Sequence, residues 1–218
     1  MEENSIINKW RYKKIPKIMF TYWYGPMSYL HYLSIKSFID LNPDWNVQLY
    51  YPKYPHTLKI SWTTNQNSIE YTKIDWYDKV KNLNIEFIPV DFDTIGFSNK
   101  CNEIIKSDYL RLHILSTQGG LWSDTDILYF KSMSSILLDE HLISGDKNKI
   151  DTVISYHDIY NYYSIGFLLS SANNEFFDYL LQQIKYNLDE KSYESIGSFL
   201  YKKLFNTPKD IQKINFQT

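Results

Sequence analysis

Two carboxylates, Asp124 and Asp126, lie one residue apart directly after a double glycine at 119–120. The apolar segment 121–130 that carries them predicts a short strand, in which alternate side chains point to the same side. Two carboxylates held so close repel each other unless a cation neutralises them. A hard divalent cation with oxygen ligands is the usual partner, and it can also hold a diphosphate. The spacing therefore predicts a divalent-cation site.

A helix predicted over about 100–117 leads into this strand. Its Asp108 and Arg111 are three residues apart and therefore lie together at the edge of its apolar face. In an arbitrary helix, an ion pair on a solvated surface would explain the two residues. Because this helix runs directly into the double glycine and the D-x-D segment, we expect the pair to reach the cation site.

The composition suits one α/β domain spanning residues 1–218. The chain has 44% apolar residues and a formal net charge of only −2, so nothing in it favours a nucleic-acid partner. One cysteine excludes an internal disulfide and fits a reducing compartment. No apolar run reaches the roughly 20 residues of a membrane span, and the acidic N-terminus is no signal peptide. We expect a cytoplasmic monomer.

Several common chemistries lack their motifs. The seven glycines form neither G-x-G-x-x-G nor a P-loop, and the chain has no H-E-x-x-H, no G-x-S-x-G and no zinc-like cluster of cysteine and histidine. These absences argue against a dehydrogenase, a kinase, a metalloprotease and a serine hydrolase.

Strands and helices alternate along the predicted elements, which favours an α/β sheet that is mostly parallel. The predicted strands cover 15–24, 45–51, 85–90, 121–130, 152–156 and 164–170. The predicted helices cover 28–40, 71–82, 100–117, 174–188 and 193–205. We interpret 52–70 as a loop and 139–151 as a polar connection.

The segment from Ser107 to Asp126 carries a composite pattern: S-D-x-x-R, an apolar helix, G-G, an aromatic residue, one further residue and D-x-D. It resembles the signature of sugar transferases of the yeast mannosyltransferase-like family 32 and of the catalytic domains of clostridial glucosylating toxins. A D-x-D alone would mean little, whereas the combined pattern is specific.

Two further matches support this resemblance. Residues 15–18, I-P-K-I, followed by Y-W-Y-G at 22–25, are similar to the opening of the same families, although Met19 or Phe20 replaces their histidine. A weaker match is I-G-S at 196–198, where relatives have T-G-P. The chain ends early compared with those families, as a compact viral glycosyltransferase or the first domain of a longer protein would.

The resemblance implies a single-domain, Rossmann-like fold of the GT-A type and assigns roles to four charged residues. Asp124 and Asp126 bind Mn²⁺ or Mg²⁺, with Asp126 as the direct ligand, and the metal bridges the two phosphates of the donor. Asp108 accepts hydrogen bonds from the donor sugar, and Arg111 reaches the sugar or a phosphate.

It also assigns binding roles to uncharged residues. Thr21, Tyr22 and Trp23 form the base site at the end of the first strand, where Trp23 or Tyr22 stacks on the base and nearby main-chain groups read its edge. Trp122 stands where the families usually have tyrosine and walls the sugar pocket. Plain core packing is the competing interpretation for both tryptophans.

The implied function is a metal-dependent hexosyl- or deoxyhexosyltransferase that moves a sugar from a UDP-linked donor to a glycan acceptor. We expect retention by front-face attack; inversion would need a general base, for which His157 and Asp158 are candidates. The alternatives are a nucleotide-sugar hydrolase and a non-catalytic module that binds glycan or nucleotide. A binding module would have no need to keep both aspartates of the D-x-D together with Asp108 and Arg111.

Overall fold

The computed structural model describes residues 15–56, 74–137, 152–157, 160, 162–192 and 194–206. Six strands in these ranges form one sheet. They are β1 (Ile18–Tyr22), β2 (Asn46–Pro52), β3 (Glu86–Val90), β4 (Gly120–Ser123), β5 (Thr152–His157) and β6 (Tyr162–Ser170).

The strand order in the sheet is β3-β2-β1-β4-β6-β5. β1 to β4 run parallel, whereas β6 is antiparallel to both β4 and β5. The predicted mixed, mostly parallel sheet is therefore confirmed. From β1 the chain builds outward through β2 and β3 on one side, and β4 then pairs with the other side of β1. This reversal between β1 and β4 is a topological switch point, where open α/β sheets bind ligands at the carboxyl ends of their strands.

Six helices accompany the sheet in the described part of the chain. They are α1 (Tyr29–Leu41), α2 (Tyr77–Lys81), α3 (Glu103–Thr117), α4 (Met133–Leu137), α5 (Glu175–Asn187) and α6 (Ser198–Leu204). None of the helices in these ranges has both the length and the apolar character needed to cross a bilayer.

Alternation along the strands distributes the core over two layers. Met19 and Leu121 pack with α1 and α2 on one face, whereas their neighbours Phe20 and Trp122 pack with α3, α5 and α6 on the other. Both faces of the central strands are therefore apolar, which explains why these strands read as nearly continuous hydrophobic runs.

The double glycine is required by the backbone between α3 and β4. Gly119 and Gly120 have φ of +70° and +112°. A β-carbon on Gly119 would lie 2.5 Å from the backbone of Ser171, and one on Gly120 would lie 2.6 Å from the carbonyl oxygen of Ile18. No other residue fits either position, so α3 turns directly into the strand that pairs with β1.

The prediction of a strand over 121–130 is wrong beyond Ser123. β4 ends at Ser123, and Asp124 to Asp126 enter a turn. The Asp124 amide still donates to the carbonyl of Gly166, but pairing with β6 stops there. Strand periodicity therefore does not place the two aspartates.

The other predicted elements appear with shifted ends. The helix predicted at 71–82 covers only Tyr77–Lys81 and that at 193–205 only Ser198–Leu204, while α4 and a short 3-10 segment at Phe92–Ile95 were not predicted. The polar connection at 139–151 and most of the loop at 52–70 lie outside the described residues.

Candidate active site

The charged residues of the composite pattern meet at the switch point of the sheet. α3 carries Asp108 and Arg111 across the layer behind β4, and Asp124 follows β4 immediately. The register of β1 against β4, with Phe20 beside Trp122, places the ends of these two strands next to each other.

Arg111 is the centre of this arrangement. Its Nη2 lies 2.9 Å from Asp108 Oδ1, and its Nη1 donates to the carbonyl oxygen of Ile165 at 2.7 Å. The guanidinium also stacks on Trp122, with the ring centroid 4.5 Å from its central carbon. The side chains of Asp108 and Arg111 are only 6% and 7% exposed. The i,i+3 pair therefore forms as its spacing predicted, but it is buried, and the alternative of a solvated surface pair is wrong.

Trp122 links the arginine to the first aspartate of the D-x-D. Its indole Nε1 donates to Asp124 Oδ1 at 2.7 Å, and Arg111 Nη1 lies 3.7 Å from the same oxygen. The side chain of Asp124 is 37% exposed, so one part of the carboxylate faces solvent while protein surrounds the rest. Trp122 itself is 1% exposed. It orients Asp124 from within the core.

Asp126 lies at the surface of the turn, close enough for its charge to raise the pKa of Asp124. Burial is the larger cause of that raised pKa, and Arg111 and the Trp122 hydrogen bond oppose it. The second oxygen of Asp124, Oδ2, accepts no hydrogen bond from the described residues.

These observations fit a divalent metal. An orienting hydrogen bond and a neighbouring cation engage Oδ1 of Asp124, which leaves Oδ2 and the exposed Asp126 as hard oxygen donors. No cluster of three or more Asp, Glu, His or Cys occurs among the described residues. Among the described residues, Asp124 and Asp126 are therefore the carboxylates that could hold such a metal.

The predicted base-site residues follow one another at the end of β1. Trp23 is 8% exposed, packs on His31 with ring centroids 4.0 Å apart, and donates its indole N–H to the carbonyl oxygens of Gly25 and Pro26. Tyr22 donates its hydroxyl to Glu103. The buried hydroxyl of Thr21 finds no partner among the described residues. The structure thus brings these residues to the switch point and buries their side chains.

Sequence analysis assigned no role to three residues that lie at the site. A β-carbon on Gly166 would stand 2.8 Å from Asp124 Oδ2, and one on Gly197 would stand 2.6 Å from Asp108 Oδ2. Both glycines therefore leave room for a carboxylate. The buried Tyr201 hydroxyl has no hydrogen-bond partner in the described part of the chain. Burial raises its pKa, the charge of Arg111 lowers it and the charge of Asp108 raises it. Only Gly197 gave a signal, through the weak I-G-S match.

Of the two candidate bases for inversion, the structure describes only His157. His157 ends β5 in an exposed position, with its ring 4.7 Å from that of Tyr160. Asp158 lies outside the described residues.

Burial raises the pKa of Asp108 to about 7, a rise that Arg111 opposes and that Asp124 and Glu194 reinforce. A carboxyl group with a raised folded-state pKa stabilises the fold below about pH 4, and this stability is lost as pH rises through its folded pKa. As pH rises from about 4 through about 7, we therefore expect the unfolding free energy of the wild-type protein to fall by up to ~4 kcal/mol. The Asp108→Asn variant should keep this free energy. Urea unfolding of both proteins in excess chelator measures this difference, and parallel pH curves would contradict it.

Solved structures and a family profile show similarity to this chain. Among solved structures, the PaToxG glycosyltransferase shares 19% identity with a TM-score of 0.57, and the match covers 92% of this chain and 75% of that one. The galactosyltransferase LgtC, solved in complex with donor and acceptor sugar analogs, shares 20% identity with a TM-score of 0.38 over 89% and 68% of the two chains. No curated protein matches the sequence significantly.

The predicted GT-A type of fold is confirmed by the likeness to PaToxG. At the level of sequence, the profile of the family described as "glycosyltransferase sugar-binding region containing DXD motif" matches residues 29–143, more than half of the protein. The chain therefore belongs to this family of DXD glycosyltransferases.

Proposed function

We propose that this protein is a metal-dependent glycosyltransferase that moves a hexosyl or deoxyhexosyl group from a UDP-sugar to a glycan acceptor. The observation that carries the proposal is the connected set of Asp108, Arg111, Trp122 and Asp124 at the switch point of the sheet. Membership of the DXD family supports sugar transfer as the chemistry.

In this proposal Asp126 and Asp124 hold Mn²⁺ or Mg²⁺. When bound, the metal neutralises the charge that develops on the departing nucleoside diphosphate. Trp122 fixes the orientation of Asp124 through its 2.7 Å hydrogen bond, and the exposed Asp126 is the direct ligand. Geometry fixed in advance lowers the reorganisation needed during the reaction.

Asp108 and Arg111 orient the donor sugar. Oδ1 of Asp108 is engaged by Arg111, which leaves Oδ2 to accept a sugar hydroxyl. That oxygen lies against Gly197, so a sugar reaches it only if the turn before α6 moves aside. The buried Nε of Arg111 and the Tyr201 hydroxyl, both without partners in the described residues, are donors that a sugar can use.

We infer retention of anomeric configuration by front-face attack, because none of the cluster's carboxylates has the freedom of a double-displacement nucleophile. Asp108 is held by Arg111, Asp124 by Trp122, and Asp126 is assigned to the metal. Release of UDP in the absence of any acceptor would instead point to the nucleotide-sugar hydrolase.

Asp126→Asn should abolish turnover and Mn²⁺-dependent nucleotide binding. Because Asp126 is exposed, the unfolding free energy should change by no more than about 0.5 kcal/mol. A screen of UDP-sugars with Mn²⁺, following UDP release, measures turnover. Calorimetry with UDP measures nucleotide binding. Asp178→Asn, an equally exposed carboxylate at the start of α5, is the matched control and should behave as wild type. Full wild-type activity in excess chelator would contradict metal dependence.

Trp23→Ala should weaken binding of UDP and of the UDP-sugar to the same extent, since stacking on the base does not involve the sugar. Loss of one stacked base corresponds to about 1–3 kcal/mol. The melting temperature should also fall, because Trp23 is packed against His31. Trp23→Phe keeps an aromatic face and should restore most of both properties. Unchanged UDP affinity in a folded but less stable Trp23→Ala protein would assign the residue to the core alone.

Asp108→Asn should reduce turnover of the UDP-sugar roughly ten- to a hundredfold while UDP binding stays near wild type, because a charge-assisted hydrogen bond to the sugar is lost. Arg111→Lys should be equally damaging, since an ammonium group cannot contact Asp108, Ile165 and the face of Trp122 together. Measured kcat and UDP affinity decide the matter: near-wild-type turnover in both variants would remove the pair from the donor site.

A further inference from the structure

A second ion pair on α3 takes no part in the cluster around Arg111. Glu103 and Lys106 are both fully buried, with Lys106 Nζ 2.9 Å from Glu103 Oε1. A buried ion pair loses so much hydration that it contributes little net stability, and apolar residues of similar volume often serve the fold as well or better. Stability alone therefore gives a weak account of this pair.

The pair is connected to residues that follow three neighbouring parallel strands. Glu103 accepts a hydrogen bond from the Tyr22 hydroxyl at the end of β1 and another from the His56 amide, at 2.7 Å, after β2. Lys106 donates to the carbonyl oxygen of Tyr54 at 3.0 Å and lies 5.5 Å from the centroid of the Phe92 ring, which follows β3. One buried pair thus fixes the carboxyl edge of β1, β2 and β3.

This edge is the side of the switch point opposite to the D-x-D. If the diphosphate lies at Asp124 beyond β4, the nucleoside extends along the ends of β1 and β2, since ligands of such sheets occupy the crevice outside the carboxyl ends of the strands. The segment that Glu103 and Lys106 hold there presents an aromatic side chain: the Tyr54 ring is 50% exposed. Trp23, the other proposed base contact, is buried and has its indole N–H engaged, so Tyr54 presents the more exposed of the two rings.

We propose that Glu103 and Lys106 are positioning residues that hold the backbone of Tyr54 to His56 as one wall of the nucleoside subsite, with the Tyr54 ring in contact with the base. The inference rests on the proposed function, because it needs a nucleotide donor. It places Tyr54 in the binding site and the ion pair behind it. Donor affinity should therefore depend on the pair, whereas the rate with saturating donor should not.

The first test is Tyr54→Ala, which removes an exposed ring and leaves the core intact. UDP affinity, measured by calorimetry with Mn²⁺, should fall at least about fivefold, as expected for a lost base contact. Tyr186→Ala is the matched control, because Tyr186 on α5 is also exposed and both rings lie beside a lysine. Lys53 Nζ is 5.3 Å from the ring centroid of Tyr54, and Lys185 Nζ is 4.7 Å from that of Tyr186. The control should bind UDP as wild type does.

The second test is the neutral double variant Glu103→Gln/Lys106→Met, which removes both charges and avoids leaving one of them unpaired. The KM for the UDP-sugar should rise at least about tenfold with kcat within about threefold of wild type, because a wall is loosened while the reacting groups stay in place. Ile35→Ala, a buried change on α1, supplies a protein of lowered stability with an unaltered nucleoside wall. Its KM should stay at the wild-type value.

Wild-type UDP affinity in Tyr54→Ala overturns the inference, and so does an equal rise of KM in the double variant and in Ile35→Ala. If the double variant fails to fold, Tyr54→Ala decides alone. These outcomes leave the proposed function standing as long as wild-type protein binds UDP with Mn²⁺ and turns over a UDP-sugar. Absence of any nucleotide binding by wild-type protein overturns both proposals.

Discussion

The guanidinium of Arg111 is the interaction on which the candidate site depends. It joins a carboxylate of its own helix, the carbonyl of Ile165 on β6 and the ring of Trp122 on β4. Only a planar group with donors on several sides can make these contacts at once. Because the group is almost fully buried, removing it would leave Asp108 as an uncompensated charge in the interior. The arginine therefore couples the helix layer to the sheet edge where the chemistry is expected.

The electrostatic balance of the cluster supports the proposed cation site. The guanidinium of Arg111 contacts Asp108 and Asp124, and Asp126 lies close to Asp124. With all three carboxylates ionised, the four groups carry two excess negative charges. In the protein without ligand, burial raises the pKa of Asp108 and Asp124, which shows that the interior disfavours this excess charge. A divalent cation would cancel it, and binding of that cation would be coupled to release of any proton held by the buried Asp108 or the half-buried Asp124.

Local sequence reasoning identified the parts of the site that depend on short spacings. The i,i+3 relation of Asp108 and Arg111, the double glycine and the aromatic residue before Asp124 are all properties of one continuous segment, and the structure joins them as neighbours. The strand assignment failed beyond Ser123 because apolar residues continue to Phe130, whereas β6 pairs with β4 only as far as Ser123. Where a strand ends is decided by its partner, which the local pattern does not contain.

Long-range contacts were beyond that reasoning. Gly166 and Gly197 matter because they approach Asp124 and Asp108 from β6 and from the turn before α6, and a glycine in isolation carries no sign of such an approach. Burial of Trp23 likewise depends on His31, in a helix that begins after the turn.

The two ion pairs of α3 lie behind different parts of the crevice. Arg111 with Asp108 lies behind β4, where the D-x-D begins, and Lys106 with Glu103 lies behind the ends of β1 and β2. The first pair leaves one donor, the Nε of Arg111, without a partner among the described residues, as expected for a group that contacts a ligand. Both charges of the second pair are engaged by backbone and side-chain groups, as expected for groups that hold other residues in place. In the proposed donor complex, one helix would thus set the distance between the diphosphate and the base, because its 1.5 Å rise per residue fixes the separation of the two pairs.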